Sequence, residues 1–167
     1  QFARSSQSGT ELINEIHGIF KERKAGACVS DSPNASLFLF IYGTENFSDL
    51  RGIDKYSKTE TRKKLEEILK EGPQLGIHVV IATQTLAKGE IIGHDEFGLR
   101  ICLPMSEEDS RALMDSDTAS RIQTDRAIFR RRDAAPGKFE KFKPYLNVDE
   151  DDIKLVQSNL NRLLTGE

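Results

Sequence analysis

Two short apolar runs, separated by a helical pattern, constrain the fold of this chain more than any other feature. The first, LFLFIY, spans 37–42, and the second, IHVVIAT, spans 77–83. Each is apolar on both faces and too short for a core helix, which is typical of a strand buried between helix layers. A charged amphipathic segment, 58–71, lies between them and ends at Gly72 and Pro73. The order strand, helix, strand predicts parallel pairing in an α/β domain.

The remaining segments extend this unit on both sides. The predicted fold class is α/β, with a mostly parallel sheet flanked by helices on both faces and followed by a β-hairpin and a helix. The added elements are a helix at 8–24, a third strand at 99–104, a short helix at 106–114, a hairpin formed by 126–131 and 138–145, and a final amphipathic helix at 149–164.

Chain length predicts a single domain, because 167 residues are close to the usual domain size of about 150 residues. Residues 1–9 are rich in Ser, Gln and Gly and are predicted to form a loose N-terminal segment, so the domain covers 10–167. The longest apolar run is far shorter than the roughly 18 residues of a membrane span. We therefore expect no membrane contact from this segment.

Composition excludes several classes of protein. A net charge of −3 excludes a wholly basic nucleic-acid binder but not a local basic patch. Cys28 and Cys102 stand far apart and outside any CxxC pair, which argues against a zinc site or a disulfide framework. No metal ligands are predicted. Cysteine usage fits a reducing compartment, so the expected localisation is cytoplasmic.

Small polar residues follow the second apolar strand. Thr83 and Gln84 stand at its carboxyl end, and ligands of open parallel sheets bind beyond such ends. The Gln84 carboxamide has the groups needed to orient a water molecule or a phosphate. An ordinary turn facing water explains the same residues. The residues alone leave both interpretations open.

The segment GIHVVIATQ, 76–84, resembles a run in the FtsK/SpoIIIE family of hexameric DNA-pumping ATPases. The likeness continues in order through LRICLPMSEEDSR, where Ser110 and Arg111 match the family's DSR, and through RAIFRRRDAAPGKFEKFKPY, which is similar to the strand pair that closes the motor domain. SLFLFIYG falls at the family's Walker B strand. Over roughly 10–145, the resemblance implies the C-terminal part of a RecA-like P-loop NTPase fold.

The resemblance also implies a nucleotide site, with ATP and Mg²⁺ as cofactors of the longer parent protein. Gln84 and Arg100 become the candidate catalytic residues, Gln84 as a phosphate sensor and Arg100 as an arginine finger that reaches a neighbouring subunit. Thr83, Glu45 and Asp49 become the candidate nucleotide-binding residues. A surface arginine paired with a carboxylate is the competing interpretation of Arg100.

The chain departs from the family where hydrolysis would need acids. Tyr42 and Gly43 stand at the positions of the Walker B Asp and Glu, and neither can hold a hard cation or activate water. Glu45 and Asp49 would substitute only if the following loop folds back. No GxxxxGK[ST] occurs in the 167 residues, so we expect no ATPase activity from this chain alone.

Absence of the phosphate-binding strand has a structural consequence as well. In RecA-like motors that strand lies centrally in the sheet, so its two neighbours are left with unpaired edges. We expect these neighbours to pair with each other or with another chain, unless a terminal segment of this chain fills the gap.

Two functions follow. The first is a C-terminal portion of an FtsK/SpoIIIE-like motor domain that couples ATP binding and hydrolysis to DNA translocation, with a homo-oligomeric, hexamer-like ring and double-stranded DNA as the implied partners. The second is a catalytically inactive FtsK-like binding or assembly module of a secretion or DNA-transfer machine, which Tyr42 and Gly43 favour.

The predicted hairpin bears on DNA binding. Its basic residues alternate with phenylalanines, a pattern that fits either contact with a nucleic acid or a hairpin with one face in the core and one in water. The residues concerned are Arg126, Arg130, Arg131, Arg132, Lys138, Lys141 and Lys143, with Phe129, Phe139 and Phe142.

Overall fold

The computed structural model describes residues 6–26, 35–44, 47–50, 59–84, 96–135, 137–144 and 150–165. The chain divides into two compact units, Gln1–Gly98 and Leu99–Glu167. The prediction of one domain over 10–167 stays a prediction.

The first unit contains two helices and a two-stranded parallel sheet. Strand β1 (Leu37–Tyr42) pairs with β2 (Ile77–Ala82) in a register that sets Leu37 opposite Ile77 and Tyr42 opposite Ala82. This confirms the expectation that the two apolar strands pair with each other. The elements are α1 (Ser6–Lys24), β1 (Leu37–Tyr42), α2 (Glu60–Glu71) and β2 (Ile77–Ala82), with single 3-10 turns at Ser48–Leu50 and Gly72–Leu75.

Local sequence signals set the ends of these helices. The Thr59 side chain accepts a hydrogen bond from the Arg62 backbone N–H at 3.2 Å and caps the start of α2. After α2, Gly76 takes a left-handed φ of 69° and directs the chain into β2. Helix α1 begins at Ser6, so residues 6–9 of the predicted loose segment are helical.

An apolar core formed by the described residues fixes both helices on one face of this sheet. Leu39, Ile41 and Ile77 of the strands meet the apolar stripes of both helices. Each fully buried aliphatic or aromatic side chain contributes about 1.5–3 kcal/mol, so the core anchors α1 and α2 to the sheet. The helical members are Ile13, Ile16, Phe20, Leu65, Ile68 and Leu69.

The opposite face of the sheet is exposed in the described part of the chain. Phe40 and Tyr42 are 72% and 70% exposed, and Phe38 and Val80 are exposed beside them. The prediction that these strands are buried on both faces between helix layers is therefore wrong for the described residues. An apolar run identifies a strand, but it does not reveal which faces are covered.

The second unit is built around an antiparallel sheet in the order β3 (Leu99–Cys102), β4 (Ala127–Arg131), β5 (Glu140–Phe142). The β4-β5 pair confirms the predicted hairpin. Strand β3, which the sequence analysis assigns to the parallel sheet, instead pairs antiparallel with β4, since apolar pattern alone does not choose a partner. The elements are β3 (Leu99–Cys102), α3 (Glu107–Met114), a 3-10 turn (Thr118–Arg121), β4 (Ala127–Arg131), β5 (Glu140–Phe142) and α4 (Glu150–Thr165).

The α/β fold class is confirmed by the parallel sheet with its helices and by the C-terminal hairpin and helix. The second unit has its own small core, in which Cys102 and Ile128 pack against Met114 and Ala119. None of the helices among the described residues is long and apolar enough to cross a membrane.

Candidate functional site

The carboxyl ends of β1 and β2 lie side by side. Tyr42 is the register partner of Ala82, and the Gly43 N–H donates to the Ala82 carbonyl at 2.8 Å. Thr83 and Gln84 follow Ala82 directly, so the pairing gathers four residues at one edge of the sheet. The predicted position of Thr83 and Gln84 at a strand end next to a parallel neighbour is what the structure has.

Gln84 and Tyr42 are joined by a hydrogen bond. The Gln84 Nε2 donates to the Tyr42 hydroxyl oxygen at 3.0 Å, between two exposed side chains. The contact uses one of the two amide hydrogens of Gln84, and its carbonyl oxygen is not needed for it. The pair offers an amide and a phenol hydroxyl, which can orient a polar ligand through hydrogen bonds.

Gly43 explains part of the departure from the Walker B pattern. Its φ is 70°, in the left-handed region that glycine adopts without steric cost. A glutamate at this position would pay the Cβ clash of a left-handed residue, about 1–2 kcal/mol. The backbone at the end of β1 therefore favours the glycine that the sequence has.

The two carboxylates proposed near this edge have different outcomes. Glu45 lies outside the described residues. Asp49 is half-buried, and its Oδ2 accepts a hydrogen bond from the Thr10 hydroxyl at 2.7 Å. The main-chain carbonyl of Asp49 also accepts from the hydroxyl of Thr59, the cap of α2. Asp49 thus links the start of α1 to the start of α2, and its role toward a nucleotide stays a prediction.

The described strand-end residues do not fit a magnesium site. Mg²⁺ is held through carboxylates and phosphate oxygens, and Tyr42, Gly43, Thr83 and Gln84 include no carboxylate. Across the described ranges, no group of three or more His, Cys, Asp or Glu side chains is placed to hold a metal ion. Any acid needed for hydrolysis has to come from elsewhere.

Arg100 lies on β3 in the second unit and is largely buried. Its side chain is 10% exposed, and its Nη1 donates to the Leu113 carbonyl at 3.0 Å and lies 3.8 Å from Asp115 Oδ2. Arg130, its partner across the strand pair, donates to the Met114 carbonyl at 2.8 Å. Both arginines satisfy carbonyls at the C-terminal end of α3. The arginine-finger role of Arg100 stays a prediction.

Ser110 has a structural role that the sequence analysis did not assign. Its buried hydroxyl donates to the Ser116 carbonyl at 2.6 Å and accepts from the Ala119 N–H at 3.0 Å. The two bonds close the turn that follows α3, in which Asp115 adopts a left-handed φ of 57°. The sequence signal for this role is a serine on the buried side of a short helix, because a buried hydroxyl needs hydrogen-bond partners.

Burial also determines the chemistry of one thiol. Cys102 is fully buried in the second core, and desolvation raises the pKa of its thiol to about 12. Because only the thiolate is nucleophilic, Cys102 is chemically inert in the folded protein.

Acidic partners neutralise part of the basic charge of the hairpin. Arg131 forms a two-pronged ion pair with Asp133, at 2.7 and 3.0 Å, and this hydrogen bonding lowers the pKa of Asp133. Lys143 lies 3.7 Å from Asp125. The rings of Phe129 and Phe142 meet edge to face at 6.0 Å and are each half-buried. These contacts agree with a two-faced hairpin.

Comparison with known proteins identifies a similar fold. A solved structure of the cytoplasmic domain of the Thermomonospora curvata type VII secretion ATPase EccC matches with a TM-score of 0.56 and 21% identity, over 91% of this chain and 19% of that chain. The chain thus shares the fold of part of that domain. It spans about a fifth of that neighbour's length. No family model matches the chain, and no curated protein matches it.

Proposed function

We propose that this chain is a portion of an FtsK/SpoIIIE-like ATPase domain, whose parent protein couples ATP binding and hydrolysis to movement of a polymer. The resemblance names DNA as that polymer, and the structural neighbour is a secretion ATPase. The parallel strand ends that carry Thr83 and Gln84 support the proposal, because ligands of α/β sheets bind there.

In this proposal Gln84 touches the phosphates or the attacking water of a bound nucleotide, and Tyr42 holds the Gln84 carboxamide. The phosphate-binding loop is supplied from outside the 167 residues, and Glu45 and Asp49 remain the candidate acids within them. The same proposal includes an arginine-finger role for Arg100 and assembly of the parent protein into a ring. The chain alone is expected to show no ATP turnover, since it has no loop to cradle the phosphates.

The intact gene product provides the test. Gln84→Ala is expected to lower kcat by about tenfold or more with little change in KM, because an interaction made mainly in the transition state is lost. Gln123→Ala is the matched control, since Gln123 is also exposed but lies in the second unit before β4. Equal kcat for Gln84→Ala and wild type would contradict the assignment.

One observation favours a second function. The Tyr42–Gln84 hydrogen bond and the left-handed Gly43 occupy the place where hydrolysis would need acids. A module of the same fold that binds without hydrolysing would retain this arrangement. The intact gene product would then show no ATPase activity above background, and the sequence encoded upstream of Gln1 would lack GxxxxGK[ST]. Both results together would replace the motor proposal with this one.

A further inference from the structure

Helix α4 presents an apolar stripe to solvent. Ile153 and Val156, which share one side of the helix, are 46% and 55% exposed. The described side chains of the helix, at 150–159 and 162, are all exposed. A helix of this length gains most of its stability from packing its apolar face, so this face is suited to a partner.

The spacing of the stripe indicates what kind of partner fits. Ile153, Val156, Leu160 and Leu163 follow one another in steps of three, four and three residues. This is the a/d spacing of a two-helix coiled coil, in which each apolar side chain enters a gap between four residues of the facing helix. The spacing of three, four and three residues is the same whether the helix is followed from its first residue or from its last. Antiparallel pairing of two copies therefore sets 153 opposite 163 and 156 opposite 160.

Charge selects the antiparallel orientation. The first turn of α4 carries Glu150, Asp151 and Asp152, and the last turn carries Arg162. Parallel pairing would bring two acidic first turns together, which is unfavourable. Antiparallel pairing sets each acidic first turn beside the last turn of the other copy, with its arginine, and opposes the two helix dipoles.

We propose that α4 is a self-association surface, occupied by the α4 helix of a second copy in an antiparallel pair. The seam is only two heptads long, so the dimer is weak and depends on concentration. The proposal does not depend on nucleotide chemistry at the ends of β1 and β2. Self-association through α4 can therefore be disproved while the proposed function holds, and the proposed function can be disproved while self-association holds.

Sedimentation equilibrium of the 167-residue chain over a concentration series tests the proposal. The average mass is expected to rise from the 18.8 kDa of the monomer toward twice that value. Val156→Asp buries a charge in the seam and is expected to weaken association at least about tenfold. Ser158→Asp, with the same added charge on the opposite side of the helix, is the control and is expected to associate like wild type.

Both variants alter exposed side chains, and circular dichroism checks that they fold. A monomer at every concentration would overturn the proposal, whether α4 stays bare or binds elsewhere on its own chain or another protein. Association that Val156→Asp leaves unchanged would overturn it as well.

Cysteine cross-linking tests the orientation. In a Cys28→Ser background, Ile153→Cys and Leu163→Cys chains are mixed under oxidising conditions, while buried Cys102 stays unreactive. A mixed 153–163 disulfide is expected as the main product. Dominant 153–153 and 163–163 products would show parallel pairing and overturn the antiparallel arrangement.

Discussion

Replacing Arg100 with alanine separates a structural role from a role reserved for a neighbouring subunit. The Arg100 guanidinium is almost buried and donates to the Leu113 carbonyl at 3.0 Å. Its removal leaves that carbonyl, at the end of α3, without this donor. A hydrogen bond from a charged group contributes about 1.5–3 kcal/mol. The ion pair with Asp115, at 3.8 Å from a mostly exposed carboxylate, adds less than about 1 kcal/mol.

We therefore expect Arg100→Ala to lower the free energy of unfolding by about 2–3 kcal/mol. Arg111→Ala is the matched control. Arg111 lies on α3, its side chain is 65% exposed, and it pairs with Glu107 at 2.5 Å. An exposed pair of this kind contributes less than about 1 kcal/mol. Urea unfolding of the isolated chain, followed by circular dichroism, measures both losses.

The outcome distinguishes the two interpretations because the assay contains no nucleotide. An arginine whose function is to contact the nucleotide bound by another subunit would contribute little to the stability of its own unit. If Arg100→Ala costs no more than Arg111→Ala, the contacts with the end of α3 do not stabilise the unit, and a structural role for Arg100 is refuted. A large loss would mean that any catalytic defect of Arg100→Ala has to be corrected for unfolding.

Two other stability predictions follow from the first unit. A Cβ on Gly9 would lie 2.5 Å from the Phe47 ring, whereas the structure describes no atom within 4 Å of one on Gly18. In thermal unfolding we expect Gly18→Ala to stabilise by about 0.5–1 kcal/mol and Gly9→Ala to be about 2 kcal/mol less stable than Gly18→Ala; equal midpoints would contradict this. The hydrogen bond from His17 lowers the pKa of Glu67. Its stabilisation is therefore present above pH 4.5, the ordinary glutamate pKa, and lost as pH falls through the lowered value. The stability advantage of wild type over Glu67→Gln should shrink in acid, and a pH-independent difference would count against the bond.

Local sequence signals predicted the elements of the fold well. The apolar runs gave β1 and β2, and Gly72 with Pro73 ended α2. At the start of α3, the Ser106 hydroxyl accepts a hydrogen bond from the Asp109 N–H at 3.1 Å and caps the helix that the sequence predicts from 106. These features depend on neighbours within four residues, which the sequence displays directly.

Features that depend on residues distant in the sequence could not be predicted from local sequence signals. The exposed face that carries Phe40 looks like a buried one in the sequence, because period-two alternation is hidden when both faces are apolar. The partner of β3 was mistaken because an apolar pattern identifies a strand without choosing the strand that it pairs with. The Tyr42–Gln84 contact depends on register: Tyr42 pairs with Ala82, so Gln84, two residues further on, lies on the same face. A slip of one residue would separate them.

That register also accounts for the residues that stand at the strand ends. A Walker B pair needs one carboxylate at the end of β1 and another directly after it. Here Tyr42, at the first position, accepts a hydrogen bond from Gln84 across the parallel pair, and Gly43, at the second, adopts a φ that favours glycine. Changing either residue alone to an acid would break a hydrogen bond or strain the backbone before it created a metal ligand. Tyr42, Gly43 and Gln84 are therefore suited to this edge of the sheet together, because each one fits the hydrogen bond or the backbone conformation found there.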